Sequence, residues 1–393
     1  MPWTEVCSMD LREEFVKLVM SREYSLSSLC CEFGISRKTG YKWLSRFRDL
    51  GRSGLEDRSR ASHHHPNAVS AEIEEEIVCC RCARSQWGPL KLKGHLERIH
   101  PDIVWPAAST IGAILKRQGL AVPRKARRRT APYTEPFVGC DQPNAVWCAD
   151  FKGWFRTGDG QRCDPFTLTD AYSRYLLRCQ AVTRPDTASV WPVLVAAFRE
   201  FGLPLALRTD NGAPFASTAL AGLSRLSVRL LRLGIIPERI RPGHPEENGR
   251  HERMHRTLKA ETAQPPQANG RLQQQVFNRF RHYFNEERSH QALQQQTPKQ
   301  VYRPSPRAMP LRLPEPHYPD SFIRRRVHDH GYIRFRSLEI YLSEALAGEW
   351  IGLDQQDHDR YDIYFTAMPL AELDCRTKTL NRKNYDKKVR GSR

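Results

Sequence analysis

The sequence predicts a multidomain α+β protein, with small helical units first, a mixed α/β core next and a small β-barrel near the C-terminus. Three observations predict it. Capped segments of helical period occupy residues 11–119. Between 144 and 260, three β-like runs precede alternating helical and β-like runs. Between 331 and 375, only short β-like runs recur. The divisions fall at 1–54 and 70–122 for two helical units, with a linker at 55–69 between them. A basic linker covers 123–143, the core and its trailing helix 144–306, the β-rich domain 307–375 and a basic tail 376–393.

Residues 11–48 read as three helices. Leu11 to Met20 sets Phe15, Val16 and Val19 on one face, and Ser25 to Phe33 turns Leu26, Leu29 and Cys30 inward before Gly34 breaks it. Ser36 can cap the third, whose inner face is Trp43, Leu44 and Phe47. Two short helices joined by a glycine turn form the helix-turn-helix pattern. Its third helix offers Arg37, Lys38, Thr39 and Lys42 to a DNA major groove. Gly51, Gly54, His63-His64-His65 and Pro66 mark the linker that follows. A second helix-turn-helix unit is expected over 70–119. Ser70 caps a helix through Ala83, Gly88-Pro89 starts another, and Ser109 caps a third ending at Gly119. The run Arg124, Lys125, Ala126, Arg127, Arg128, Arg129 is expected to track a phosphate backbone or a minor groove.

Cys79-x2-Cys82 with His95-x4-His100 matches the spacing of a zinc finger. However, Ile73, Ile77 and Cys80 carry one helical stripe straight through the cysteines, where a finger needs a hairpin. The match is therefore read as chance.

In the core, a strand from Val146 to Phe155 leads through Gly158-Asp159-Gly160 to strands Phe166 to Thr169 and Tyr175 to Ala181. A helix at Thr187 to Phe201, a strand at Leu205 to Thr209, a helix at Thr218 to Leu233 and a strand at Ile235 to Ile240 follow. Leu272 to Arg288 is a further helix. The C-terminal runs Tyr332 to Phe335, Leu338 to Leu342, Trp350 to Leu353 and Tyr361 to Ala367 suggest the small barrel. The tail from Arg376 is expected to be disordered.

Lys and Arg number 62 against 44 Asp and Glu, a net charge of +18. Such an excess favours a polyanion, because neutralised phosphates release counterions. The longest apolar run, Val190 to Phe198, is too short to span a bilayer and contains Pro192. The first residues show no charged-then-apolar signal pattern. The 11 Cys form no repeating framework, which fits free thiols in a reducing compartment. The expected location is the cytoplasm, in association with a bacterial nucleoid, with no membrane partner.

Three acids in separate segments carry the chemistry. Asp150 sits in an alternating apolar run, Asp210 ends a second one before Asn211-Gly212, and Glu252 lies near the start of a basic helix. Two carboxylates at strand ends and one on a helix can converge on two divalent metal ions. Arg256 and Lys259 share a helix face with Glu252 and could hold phosphates. A competing pattern overlaps this segment: His251-Glu252-x-x-His255 matches the zinc-protease motif. No third ligand follows it, and a protease gains nothing from the basic charge.

The pieces Trp147-x-x-Asp150-Phe151-Lys152, Thr169-Asp170-Ala171-Tyr172-Ser173-Arg174-Tyr175, Thr209-Asp210-Asn211-Gly212 and Asn248-Gly249-x-x-Glu252 occur in that order. Arg288-Ser289-His290-x-x-Leu293 and Thr297-Pro298 come after them. Together they resemble the insertion-sequence transposases of the DDE class, whose core is similar to that of retroviral integrases. The resemblance implies an RNase H-like core with Asp150, Asp210 and Glu252 as the metal-binding catalytic triad. It selects Glu252, three residues after the loop glycine, over Glu246 and Glu247. The interval from Asp210 to Glu252 is longer than usual, and extra residues in the helix around 220–233 can absorb it. Asp170 is expected to be a structural turn residue. The implied cofactors are two Mg²⁺ or Mn²⁺ ions per site, about 3.5–4 Å apart. The implied partners are double-stranded DNA, both element ends and target, and further copies of the chain in the DNA complex. The implied activity is DNA cleavage and strand transfer. A DNA-binding regulator that kept the fold without the activity is the alternative from another class.

Overall fold

The computed structural model describes residues 7–58, 68–121, 139–217, 222–240 and 249–382. The basic run at 124–129 lies outside the described residues. The chain divides into two compact units, Met1–Val69 and Ser70–Arg393. Among the described residues, no helix is long and apolar enough to cross a membrane. All 11 cysteines are free thiols.

In the first unit, α1 (Ser8–Ser21), α2 (Leu26–Glu32) and α3 (Arg37–Leu50) close on Phe15, Val16, Leu29, Cys30, Trp43 and Leu55. The predicted Ser36 cap forms, and Ser25 caps α2 as well. Ser25 accepts from the Ser28 amide and Ser36 from the Thr39 amide, satisfying donors that a helix start leaves open. Gly34 turns the chain at a φ of +61°. Gly40 lets α3 approach, since a Cβ there would lie 2.7 Å from Cys30 Sγ and 3.0 Å from Phe15 Cζ. Gly40→Val is therefore expected to destabilise this unit by about 2–3 kcal/mol through overpacking. A thermal melt of the unit checks it, and an unchanged midpoint would refute the close approach.

The second unit begins with α4 (Ala71–Ala83), α5 (Pro89–Ile99) and α6 (Ala108–Arg117). Ser70 caps α4 as expected. Ser109 does not cap α6: the helix starts two residues earlier than that cap implies, with Ala107 at the cap position and no side-chain cap. Cys79 and Cys82 both lie on α4 and are exposed, so the finger hairpin does not exist.

These helices dock on the core. Trp87 is fully buried, stacks on Tyr283 and donates its indole N–H to the Tyr283 hydroxyl. Arg84 pairs with Glu287 at 2.8 Å, and Arg98 donates to the Glu287 carbonyl at 2.6 Å.

The core sheet comprises β1 (Val146–Phe151), β2 (Phe155–Arg156), β3 (Arg162–Asp170), β4 (Leu176–Val182), β5 (Ala206–Thr209) and β6 (Ile236–Arg239). The order is β2-β3-β1-β5-β6, with β4 also on β3. β1 runs antiparallel to β3 and parallel to β5, and β5 is parallel to β6. The sequence ran a single strand to Phe155, whereas the chain leaves β1 at Phe151 and re-enters as β2.

The period-two alternation sends β1 to two layers. Trp147 and Ala149 join Phe166, Leu168, Phe198 and Leu207 under α7 (Thr187–Phe201) and α8 (Arg225–Arg232). On the opposite face, Cys163, Leu176 and Cys179 pack against Met254 and Leu258 of α9 (Gly249–Thr262) and against Phe277, Phe280 and Phe284 of α10 (Gly270–Glu286). The helix expected from Thr218 begins only at Arg225. Residues 218–221 lie outside the described residues, as do the loop glutamates Glu246 and Glu247.

After a short α11 (Pro298–Val301) come β7 (Ile323–Arg326), β8 (Tyr332–Phe335), β9 (Leu338–Tyr341), β10 (Trp350–Gln355), β11 (Arg360–Phe365), β12 (Met368–Asp374) and β13 (Thr379–Arg382). Among the described residues they do not close a barrel. β13-β12-β11-β10-β7 is an open antiparallel sheet, and β8 and β9 pair only with each other. The edge strands β7 and β13 each have one neighbour, so nothing joins the two ends. The tail from Arg376 is ordered as far as β13, and residues 383–393 lie outside the described residues.

Candidate active site

The parallel ladder between β1 and β5 fixes the first two acids. Val146 pairs with Ala206, Trp147 with Leu207 and Cys148 with Arg208. The same register carried two residues on sets Asp150 beside Asp210. The Asp150 side chain projects from one face of the sheet, and Asp210, directly after β5, bears on it by charge. Parity with Cys148 puts that face opposite Trp147 and Ala149, on the side covered by α9.

Asp210 opens an Asx turn: its Oδ1 accepts from the Gly212 amide at 3.1 Å. A Cβ on residue 212 would stand 3.1 Å from Asp210 Oδ2, so glycine leaves the carboxylate room. Asn211 ties the turn to the end of β6 through the Ile240 carbonyl at 3.0 Å.

Thr167 organises the third segment. It pairs with Asp150 across β1 and β3 and donates to the Asp150 carbonyl at 3.1 Å. His251 Nε2 lies 2.6 Å and His255 Nε2 2.7 Å from the same hydroxyl oxygen. Thr169 Oγ1 lies 3.2 Å from His251 Nδ1. One proton assignment satisfies every group: both imidazoles donate Nε2–H to Thr167, and the Thr169 hydroxyl donates to His251. Burial pushes His251 down to about 3 and His255 down to about 2, so both rings are neutral. Such histidines stabilise the fold above the ordinary 6.5, and that contribution is lost as pH falls below it.

Two histidines four residues apart thus pin α9 onto the sheet. Glu252 is exposed beside them, in a cleft lined by Lys152, His255, Arg256 and Lys259.

The electrostatics gather the acids. Asp150 is pushed up to about 7, first by burial, then by the charge of Asp210, with Glu252 adding to it; the Phe151 amide and Lys152 work the other way. A divalent cation would relieve that repulsion, and an all-oxygen set of three carboxylates suits a hard ion such as Mg²⁺. The residues therefore fit the implied ions.

Among the described residues, the one close-set group of three metal-type ligands does not include Asp210 or Glu252. Atoms of Asp150, His251 and His255 all lie within 4.8 Å of one another. Both nitrogens of His251 are engaged by threonines, which leaves His255 Nδ1, 3.8 Å from Asp150 Oδ2, facing the carboxylate. This also removes the zinc-protease arrangement, which needs both imidazoles turned to one ion. Acids that each serve a different ion of a pair would be spread wider than that group.

Sequence reasoning saw His251 and His255 only as a misleading motif and passed over Thr167. The Thr167–Asp150 pairing appears only once β3 is seen beside β1.

Arg37, Lys38 and Lys42 are exposed on α3, with Lys42 Nζ resting 4.4 Å over the Trp43 ring. Thr39 spends itself on the helix cap, its hydroxyl 2.9 Å from Ser36 Oγ. Tyr41 is 63% exposed on the same helix and was missed. Asp170 is the expected structural residue: it is buried and accepts from the amides of Asn144 and Ser173 and from the Ser173 hydroxyl.

Comparison with known proteins places an integrase core domain over residues 141–245 and again over 233–298. A helix-turn-helix domain matches 11–63 and a homeodomain-like domain 39–115. The chain is similar to the HTLV-2 integrase catalytic core domain in complex with magnesium, at 16% identity and a TM-score of 0.33, over 42% of this chain and 99% of that one. It is similar to a chain of the simian T-cell lymphotropic virus intasome bound to the PP2A regulatory subunit B56 gamma, at 15% identity and a TM-score of 0.36, over 77% and 98%. It is also similar to the catalytic core domain of BIV integrase, at 19% identity and a TM-score of 0.32, over 40% and 93%.

Proposed function

We propose that this chain, whose helix-turn-helix domains precede an integrase core and which thereby resembles the DDE-type transposases and integrases, is a transposase. It binds the ends of its own mobile element and cuts and joins DNA strands. The observation that carries the reading is the parallel β1–β5 register, which brings the strand end bearing Asp150 alongside the strand that Asp210 follows; the Asp150 carboxyl is raised first by burial and then by Asp210.

In this reading Asp150, Asp210 and Glu252 hold the metal ions. When bound, two Mg²⁺ or Mn²⁺ ions supply Lewis acidity to both sides of the scissile phosphate. Lys152, Arg256 and Lys259 bind the flanking phosphates along the cleft, and the Thr167 network keeps Glu252 at the sheet. Hydrolysis of one phosphodiester leaves a 3′-hydroxyl and a 5′-phosphate. That hydroxyl then attacks a phosphodiester in target DNA, forming a new phosphodiester to the target's 5′ side while the target's 3′-hydroxyl leaves. Arg37, Lys38, Lys42 and the basic run Arg124, Lys125, Arg127, Arg128 and Arg129 supply sequence-end and backbone contacts. Pairing two ends calls for at least two copies of the chain on the DNA. The protein works where chromosomal DNA is accessible.

Strand transfer with Mg²⁺, on DNA carrying the inverted repeats that flank the coding region, tests this. Asp210→Asn and Glu252→Gln are each expected to reduce product by two to three orders of magnitude while leaving end binding intact. Product equal to wild type from either variant would end the triad assignment.

A further inference from the structure

A cavity of about 80 Å³ opens where α5, α9 and the turn after α10 meet. It shares α9 with the cleft: His251 lines the cavity, whereas Glu252 and His255 line the cleft. Lys91, Arg174, Arg253, Arg288 and His290 surround it. The carboxylate in its wall, Asp170, is turned to the Asn144 and Ser173 amides. Glu261 lies 3.5 Å from Arg288 and its charge also bears on Lys91. The crowding is felt. Burial, then Arg288 and also Arg253, pushes the Lys91 ammonium down to about 8. Burial, then Lys91, Arg288 and Arg174, pushes the His290 ring down to about 3. Its Nε2 is buried with no hydrogen-bond partner among the described residues. An oxyanion here would answer both the charge and that nitrogen.

Size and depth decide which anion. The volume is several times the roughly 10–15 Å³ that one water requires. That admits a phosphate group but not the nucleoside behind it. Arg288 is only 8% exposed, so a phosphodiester with a sugar on each side cannot reach it, whereas a strand end can.

We infer that this cavity receives the terminal 5′-phosphate of a DNA strand. The inference rests on the DNA-cleaving reading above, in which strand hydrolysis leaves such an end.

Fluorescence anisotropy of the full chain tests it at fixed salt, with two duplexes identical except for a 5′-phosphate or a 5′-hydroxyl. The phosphorylated duplex is expected to bind about tenfold tighter, and inorganic phosphate should erase that margin. In Lys91→Gln both duplexes should bind alike, at the wild-type affinity for the hydroxyl end. Equal wild-type affinities would overturn the site while leaving DNA binding standing. If inorganic phosphate still raised the Tm of wild type but not of Lys91→Gln, the cavity would be a site for free phosphate, not for a strand end. A margin surviving both Lys91→Gln and His290→Ala would put the phosphate elsewhere. A wild-type chain that binds neither duplex would sink the DNA reading and this inference together.

Discussion

Asp150→Asn is expected to abolish strand transfer and, at the same time, to make the metal-free protein more stable at pH 8. The loss should be on the order of 10³-fold, the few kcal/mol that a metal-held transition state forfeits without its shared ligand. The gain follows from the buried charge. Folded Asp150 keeps its proton up to about pH 7, against an ordinary value of 3.8. Between those limits the folded state binds more protons than the unfolded one, so this residue's contribution falls as pH rises. The full cost at pH 8 is no more than about 4 kcal/mol. Asparagine, never ionised, escapes it. Thermal melts in EDTA at pH 8 and pH 5 measure the difference between variant and wild type, which should narrow at the lower pH. A variant less stable than wild type at pH 8 would mean the acid is not held as described. In wild type, Mg²⁺ should raise the Tm at pH 8 more than at pH 5, because protons compete with it for the carboxylates.

Thr167→Val should be the most damaging single change outside the acids. The swap is nearly isosteric, so packing barely changes, but the hydroxyl that meets His251, His255 and the Asp150 carbonyl disappears. Two imidazole N–H groups are then buried without partners, at about 1–3 kcal/mol each. Thr167→Ser keeps the hydroxyl and should recover most of the loss. The same pair of variants separates fold from chemistry. If α9 loosens, strand transfer by Thr167→Val should fall at a temperature where its circular dichroism is still native. Equal Tm values for the valine and serine variants would remove the network from the account of this site.

The core was legible because its signals were local and redundant. Trp147 and Ala149 alternate with Cys148 and Asp150, Ser36 precedes a basic amphipathic helix, and Asp210 ends an apolar run before Asn211-Gly212. Each fixes its element without help from distant residues. What failed was decided elsewhere in the chain. The start of α6 is set by packing, not by the nearby Ser109. Whether β7 to β13 close or stay open depends on which edges meet, and the period-two pattern carries no such information. Thr167 was silent for the same reason. A threonine in a strand reads as ordinary β-former until β3 is known to lie beside β1 and α9 above both. The H-E-x-x-H spacing was visible, but the spacing alone does not say whether two imidazoles turn toward an ion or toward a sheet.

The indole of residue 87, the phenol of 283 and the carboxylate of 287 fasten the second helical segment to the integrase-like core. In the proposed reading, a DNA sequence recognised by that segment would be held at a fixed distance from the scissile bond. On that reading, the place of the cut would be counted in base pairs from the bound motif, and a new motif could evolve without change to the core.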